Sequence, residues 1–466
     1  MAQQRPVARY WCEWAWTGES ASAVPGVALG VSGDGTFTEV TPNVAAPADA
    51  ERLPGLTLPG LANTHSHAFH RTLRARAHTG GSFWAWRDQM YGVLGRLTPD
   101  SYHRLARAVY AEMACAGVTC VGEFHYLHHT AEGRSYDNPN AMGEALVAAA
   151  DEAGIRITLL DTCYLAGGLS PAGRHLPLEG PQLRFGDADA ETWAARVDAF
   201  RPDSGHARVG AAAHSVRAVP APELARVASW ASRHRMPLHV HVSEQPAEND
   251  AAVSAYGRTP AGVLADAGAL TPRTELVHST HLSDGDVRAL REAQAGVCLC
   301  PTTERDLADG LPRTGDLAAA PTETGGPVRL SVGTDQHVHS DMFGEMRGVE
   351  LHERLRTGTR GTLEPAQLLT AGTRNGHTSL GWNPAGTEAG VLRAGARADL
   401  VTVGLDSVRL AGTDTEDVVA AVVYAATAAD VRNVMVDGRW TVREGTHATL
   451  PDTAVELDTA IRELYP

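Results

Sequence analysis

Two histidines stand two residues apart at the end of an apolar run, Leu58-Pro59-Gly60-Leu61-Ala62-Asn63-Thr64-His65-Ser66-His67. In a strand that spacing puts both imidazoles on one face, which is half of a metal site. Three further apolar runs end in residues of ligand or acid/base type: Leu238-His239-Val240-His241-Val242-Ser243-Glu244, Glu275-Leu276-Val277-His278 and Leu330-Ser331-Val332-Gly333-Thr334-Asp335. An isolated His-x-His is ordinarily a surface or core pair. Four strand-sized segments that each deliver such a residue near the C-terminal end are different, because a parallel β/α barrel builds its active site there. A catalytic zinc-type centre needs three or four N/O ligands and an open position. His65, His67, His241 and Asp335 supply four. His239 shares a strand face with His241 and the spacing permits either; His241 lies nearer the C-terminal end, so His239 is read as a deeper, supporting histidine.

Positioning these residues takes a full set of strands, and eight short apolar runs can be counted, around 61–65, 118–124, 156–163, 207–214, 237–243, 274–279, 296–301 and 328–335. Between them, stretches such as 101–116, 141–153, 221–233 and 284–293 repeat apolar residues at intervals of three and four, the helical period. Alternating strands and helices imply a parallel sheet, and eight such units imply a closed barrel. The expected fold is therefore α/β, a (β/α)8 TIM-like barrel over residues 58–385. Residues 1–57 and 386–446 read instead as short strands, with turns at Gly33-Asp34-Gly35 and Pro42-Asn43, a strand over 398–403 and an Asp437-Gly438 hairpin tip. Residues 447–466 contain one amphipathic helix, over 453–465. The Pro/Gly/Thr-rich stretch 312–327 reads as a loop between strands seven and eight.

A chain of 466 residues, 43% hydrophobic and without an apolar run long enough to span a bilayer, reads as soluble and globular, with no membrane partner. The first six residues lack the continuous apolar stretch of a secretory signal. Cys12, Cys115, Cys120, Cys163, Cys298 and Cys300 are spread along the chain and read as reduced thiols of a cytoplasmic protein. Cys298-Leu299-Cys300 lacks the second pair that would complete a zinc site. The net charge of −15 is dispersed, which argues against a nucleic-acid partner. All 40 basic residues are arginine. Without lysine there is no Schiff base, no pyridoxal-phosphate anchor and no carboxylated lysine to bridge two metals.

The order of these ligands along the chain resembles the amidohydrolase superfamily, whose metal-dependent deaminases carry His-x-His on strand one, His on five, His on six and Asp on eight. That resemblance implies one divalent metal, most often Zn2+, and a small β-sandwich made from both chain ends beside the barrel. It implies that Glu244, three beyond His241, shuttles a proton to the substrate's imine nitrogen. Asp335 can then take the proton of the attacking water, while His278 orients that water and stabilises the oxyanion.

Longer strings narrow the resemblance to the formimidoylglutamate deiminases of histidine degradation. They are Ser82-Phe83-Trp84-Ala85-Trp86-Arg87, Gly122-Glu123-Phe124-His125-Tyr126-Leu127-His128-His129, His214-Ser215-Val216-Arg217 and Pro301-Thr302-Thr303-Glu304 with Leu307-Ala308-Asp309-Gly310. The implied substrate, N-formimino-L-glutamate, is a dicarboxylate with an amidine-like head. Arg87 and Arg217 offer forks for its carboxylates, Tyr126 a phenol and His214 a further donor. His70 stands where many such enzymes carry glutamine, and either side chain can donate. The family also implies a homodimer. Alternatives are a mononuclear deaminase of purine-like or triazine-like rings, which would ask for stacking and amide contacts, and a catalytically silent binding protein on the same scaffold.

Overall fold

The computed structural model describes residues 7–76, 83–202, 204–321, 325–384 and 387–465, with side chains throughout except at 83–88. Eight strands form one parallel sheet: β1 (Leu61–Ser66), β2 (Val118–His125), β3 (Arg156–Cys163), β4 (Ala207–Ala213), β5 (Leu238–Val242), β6 (Thr274–His278), β7 (Gly296–Leu299) and β8 (Arg329–Val332). Each pairs with the next in sequence. Every residue of β2 and β3 is buried, since helices cover one face and the barrel interior the other. This two-sided burial is why these strands stand out in the sequence as short, mostly apolar runs, with the buried Glu123, Arg156 and Asp161 as their charged exceptions.

The barrel closes through the segments that carry His65, His67 and Asp335. Asp335 N donates to His65 O at 3.0 Å and His67 N donates to Asp335 O at 3.1 Å, continuing the ladder from β1 to β8. Gly333 makes this seam possible. A Cβ there would lie 2.7–2.8 Å from His65 backbone and side-chain atoms, so any other residue would push the two strands apart.

Both chain ends meet in a second, mixed sheet of eight strands. Ala8–Ala15 runs parallel to Glu51–Pro59, which pairs antiparallel with Leu400–Val403. Val431–Val436 and Arg439–Arg443 form the expected hairpin, with Asp437 and Gly438 at φ 47° and 74°, the left-handed pair that a two-residue turn requires. A helix, Thr453–Glu463, follows. The stretch expected to be a plain loop before β8 holds a short helix, Thr314–Ala318. Burial of Leu317 and an Arg313–Asp316 pair at 2.8 Å supply what its Gly/Pro-rich surroundings hide.

A buried ion pair joins barrel and sheet. Arg156, at the start of β3, donates to Asp399 and stands 3.0 Å from Asp437, and both Arg156 and Asp399 are completely buried. Trp382 packs beneath the guanidinium groups of Arg156, Arg208 and Arg397. Asp399→Ala would leave a buried arginine without its main partner. Its expected cost is about 3–5 kcal/mol of stability, read as a lower urea midpoint. An unchanged midpoint would mean that Asp437 alone suffices.

Candidate metal centre and active site

His65, near the end of β1, and His67, one residue past it, point into the barrel with His241 of β5 and Asp335 beyond β8. Their ligand atoms all lie within 4.8 Å of one another. His65 Nε2 is 3.1 Å from His241 Nε2 and 3.3 Å from Asp335 Oδ1, and His67 Nε2 is 3.4 Å from the same oxygen. Backbone carbonyls set the tautomers. His67 Nδ1 donates to Phe124 O at 3.0 Å and His241 Nδ1 donates to His214 O at 2.9 Å, so each Nε2 turns a lone pair inward.

Burial holds these imidazoles neutral: it lowers the pKa of His65 to about 3 and depresses His67 and His241. Burial alone would raise the Asp335 carboxyl, but the hydrogen bond with His65, helped by His278, holds it far below its usual range. The lone pairs of His67 and His241 and the Asp335 carboxylate converge with His65 Nε2 on one point, where a cation would draw them together, and His65 Nδ1 is buried without a hydrogen-bond partner. The donor set fits a divalent metal of the zinc type. His239 is no part of it: its Nε2 donates to Ser379 O at 3.0 Å, deeper in the barrel.

A network spans the β1–β8 seam behind the ligands. Asn63 Nδ2 donates to Thr334 Oγ1 at 2.7 Å, His337 lies 3.2 Å from that hydroxyl and 3.0 Å from Ser66 Oγ, and Ser66 donates to Glu123 at 2.7 Å. Glu123 also accepts from Ala68 N at 2.7 Å, fixing the turn after His67. Burial raises its pKa to about 7 against those hydrogen bonds. Asn63, Ser66, Thr334 and Glu123 stand inside strings that the sequence singles out and His337 does not, but the sequence gives none of them this supporting role. The pairing of positions 271 residues apart leaves no local signal.

His278 is set among three carboxylates: Glu304 at 3.6 Å from Nδ1, with Glu244 at 3.8 Å and Asp335 at 3.9 Å from Nε2. Burial by itself would lower its pKa; Glu244, Glu304 and Asp335 together raise it to about 10. The two oxygens of Asp335 divide, Oδ1 toward His65 and His67 and Oδ2 toward His278. His278 and Asp335 both adopt left-handed backbone, φ 67° and 45°, an unfavourable conformation held by the surrounding structure. Cys300 also approaches this pair.

A cavity of about 350 Å3 opens over the cluster. His70, Tyr126, His214, Arg217, Glu244, His278 and Asp335 all line it, which brings together nearly every candidate substrate contact. The side chain of Arg87 lies outside the described residues. Tyr126 OH is 3.2 Å from His70 Nε2, and burial keeps the phenol protonated and both His70 and His214 neutral. Arg217 is not the free cation that the sequence suggests. Its Nη2 is 3.3 Å from Glu244 and its Nε 3.6 Å from Glu248. Tyr164, Phe185 and Gln182, none of them anticipated, also line the cavity. A second buried cluster, His125, His128 and Asp161, lies elsewhere; Arg196 donates to both oxygens of Asp161 at 2.8 and 2.9 Å and already supplies its cation.

Residues 56–441 match the model of the amidohydrolase family. Among characterised proteins, the chain is 36% identical over 427 residues to a formimidoylglutamate deiminase of Pseudomonas aeruginosa, covering 90% of this chain and 91% of that one. It is 32% identical over 400 residues to an 8-oxoguanine deaminase of the same organism, covering 84% and 83%. Among solved structures, an amidohydrolase from Brucella melitensis superposes with a TM-score of 0.87 at 30% identity, covering 98% of this chain and all of the other. No helix among the described residues is long and apolar enough to cross a membrane.

Proposed function

The chain belongs to the amidohydrolase family, hydrolases acting on C–N bonds, and from that premise we propose that it deiminates N-formimino-L-glutamate to N-formyl-L-glutamate and ammonia. The observation that carries this reading is the opening of Arg217 onto the same small cavity as the ligand cluster, Glu244 and His278. A volume of about 350 Å3 suits a short linear ligand, and an arginine suits its carboxylate.

His65, His67, His241 and Asp335 would hold one divalent ion, Zn2+ by donor type, which when bound supplies Lewis acidity and acidifies water. Asp335, through Oδ2, accepts the proton of the water that attacks the formimino carbon. His278 donates to the oxygen as it becomes negative. Glu244 carries a proton to the imine nitrogen, which leaves as ammonia while the glutamate nitrogen stays bound to the new formyl group. Tyr126, His70, His214 and Arg217, with Arg87, bind and orient the two carboxylates. A homodimer and a cytoplasmic location complete the proposal on family likeness.

Arg217→Met is expected to raise KM for N-formimino-L-glutamate by roughly 10²-fold, as when one partner of a desolvated charge pair is lost, with metal content unchanged. Loss of metal instead would make the arginine structural. A second reading, deamination of a purine-like ring, draws on the aromatic wall of Tyr126, Tyr164 and Phe185 and on the likeness to the 8-oxoguanine deaminase. Ammonia release from N-formimino-L-glutamate and from 8-oxoguanine, measured side by side, separates the two. Preference for the purine would overturn the first reading.

A further inference from the structure

Arg217 is a cation with two acidic neighbours of unequal freedom. Glu244 faces it from the cavity side at 3.3 Å with 17% of its side chain exposed, whereas Glu248 faces it at 3.6 Å with 1% exposed. Glu248 cannot leave: it is enclosed at the start of the helix Pro246–Tyr256, where its Oε2 accepts from Glu244 N at 3.3 Å. Glu244 can, because it opens onto the space a ligand would occupy. The set is also unsaturated. Arg217 Nε and Glu248 Oε1 are both buried without a hydrogen-bond partner. The arginine itself is anchored, since His175 Nδ1 donates to Arg217 O at 3.2 Å while Nε2 of the same ring is 2.6 Å from Tyr256 OH.

We propose that Glu248 is the permanent counter-ion of Arg217 and Glu244 its exchangeable one: a carboxylate of the substrate takes the place of Glu244 on the guanidinium, and binding itself frees Glu244 for proton transfer. Glu248 thereby becomes a positioning residue, and recognition of the ligand's distal charge becomes a condition for turnover. No bond is made or broken in the exchange, and the arginine keeps two carboxylates before and after it. The inference rests on reading the substrate as a dicarboxylate, and its tests separate the two ideas.

In the first test, glutarate is titrated calorimetrically into zinc-loaded parent, E244Q, E248Q and R217M proteins. With the competing carboxylate neutralised, E244Q should bind glutarate about tenfold more tightly than the parent, R217M should lose most binding, and E248Q should bind more weakly because Glu244 then holds the arginine alone. A residue with only a structural role would not give tighter binding on E244Q. In the second, metal-loaded parent and R217M are compared on N-formimino-L-glutamate, N-formimino-L-glutamine and N-formimino-4-aminobutyrate. At least one truncated substrate should lose kcat at saturation in the parent, and R217M should abolish that difference in kcat. The exchange is overturned if E244Q binds glutarate no better than the parent or if truncation raises only KM. Turnover of N-formimino-L-glutamate with either of those results rejects the exchange and keeps the dicarboxylate reading. Glutarate binding in the expected order without any turnover of N-formimino-L-glutamate rejects that substrate and keeps the exchange.

Discussion

Asp335→Asn is expected to cut kcat on the order of 10³–10⁴-fold and to lower the metal content of the purified protein. Three functions converge on this carboxylate. Its Oδ1 lies 3.3–3.4 Å from His65 and His67, inside the cluster that could hold a metal ion. Its Oδ2 faces His278, where it can receive a proton. Its backbone closes the barrel seam with His65 and His67. An amide keeps the size and the backbone bonds while removing the charge and the basic oxygen, so folding should persist. Urea unfolding, metal analysis and steady-state kinetics on one preparation distinguish the cases. Near-parental kcat with full metal content would remove Asp335 from the chemistry.

Glu244→Gln is expected to lower kcat by about 10²–10³-fold without raising KM. The side chain lies 3.8 Å from His278 and opens onto the cavity, which places an acid beside the leaving nitrogen without making it a ligand. Metal content should therefore match the parent, in contrast to Asp335→Asn. A rise in KM with kcat intact would make Glu244 a binding residue only.

The barrel is readable from the sequence because its strands, buried on both faces, leave short apolar runs, and those of β1, β5, β6 and β8 end at or near His65, His241, His278 and Asp335. The candidate ligand set is read from where those runs end. Choosing His241 over His239 rests on depth alone, and the structure supplies its cause in the carbonyls of His214 and Ser379. What stays hidden is long-range or conformational. The left-handed backbone at His278 and Asp335 has no glycine to announce it. The Asn63–Thr334–His337–Ser66–Glu123 network joins residues that only barrel closure brings together. Arg217 looks like a free fork on paper because Glu248, its enclosed partner, is an ordinary helix-start glutamate in sequence.

N-formimino-L-glutamate labelled with 15N at the imine nitrogen, supplied to protein carrying one equivalent of zinc and followed by NMR, tests the deimination itself. Labelled ammonia and N-formyl-L-glutamate are expected in equal amounts, with no turnover after the metal is removed and recovery when it is restored. Labelled formamide with free L-glutamate, or turnover indifferent to the metal, would contradict that expectation.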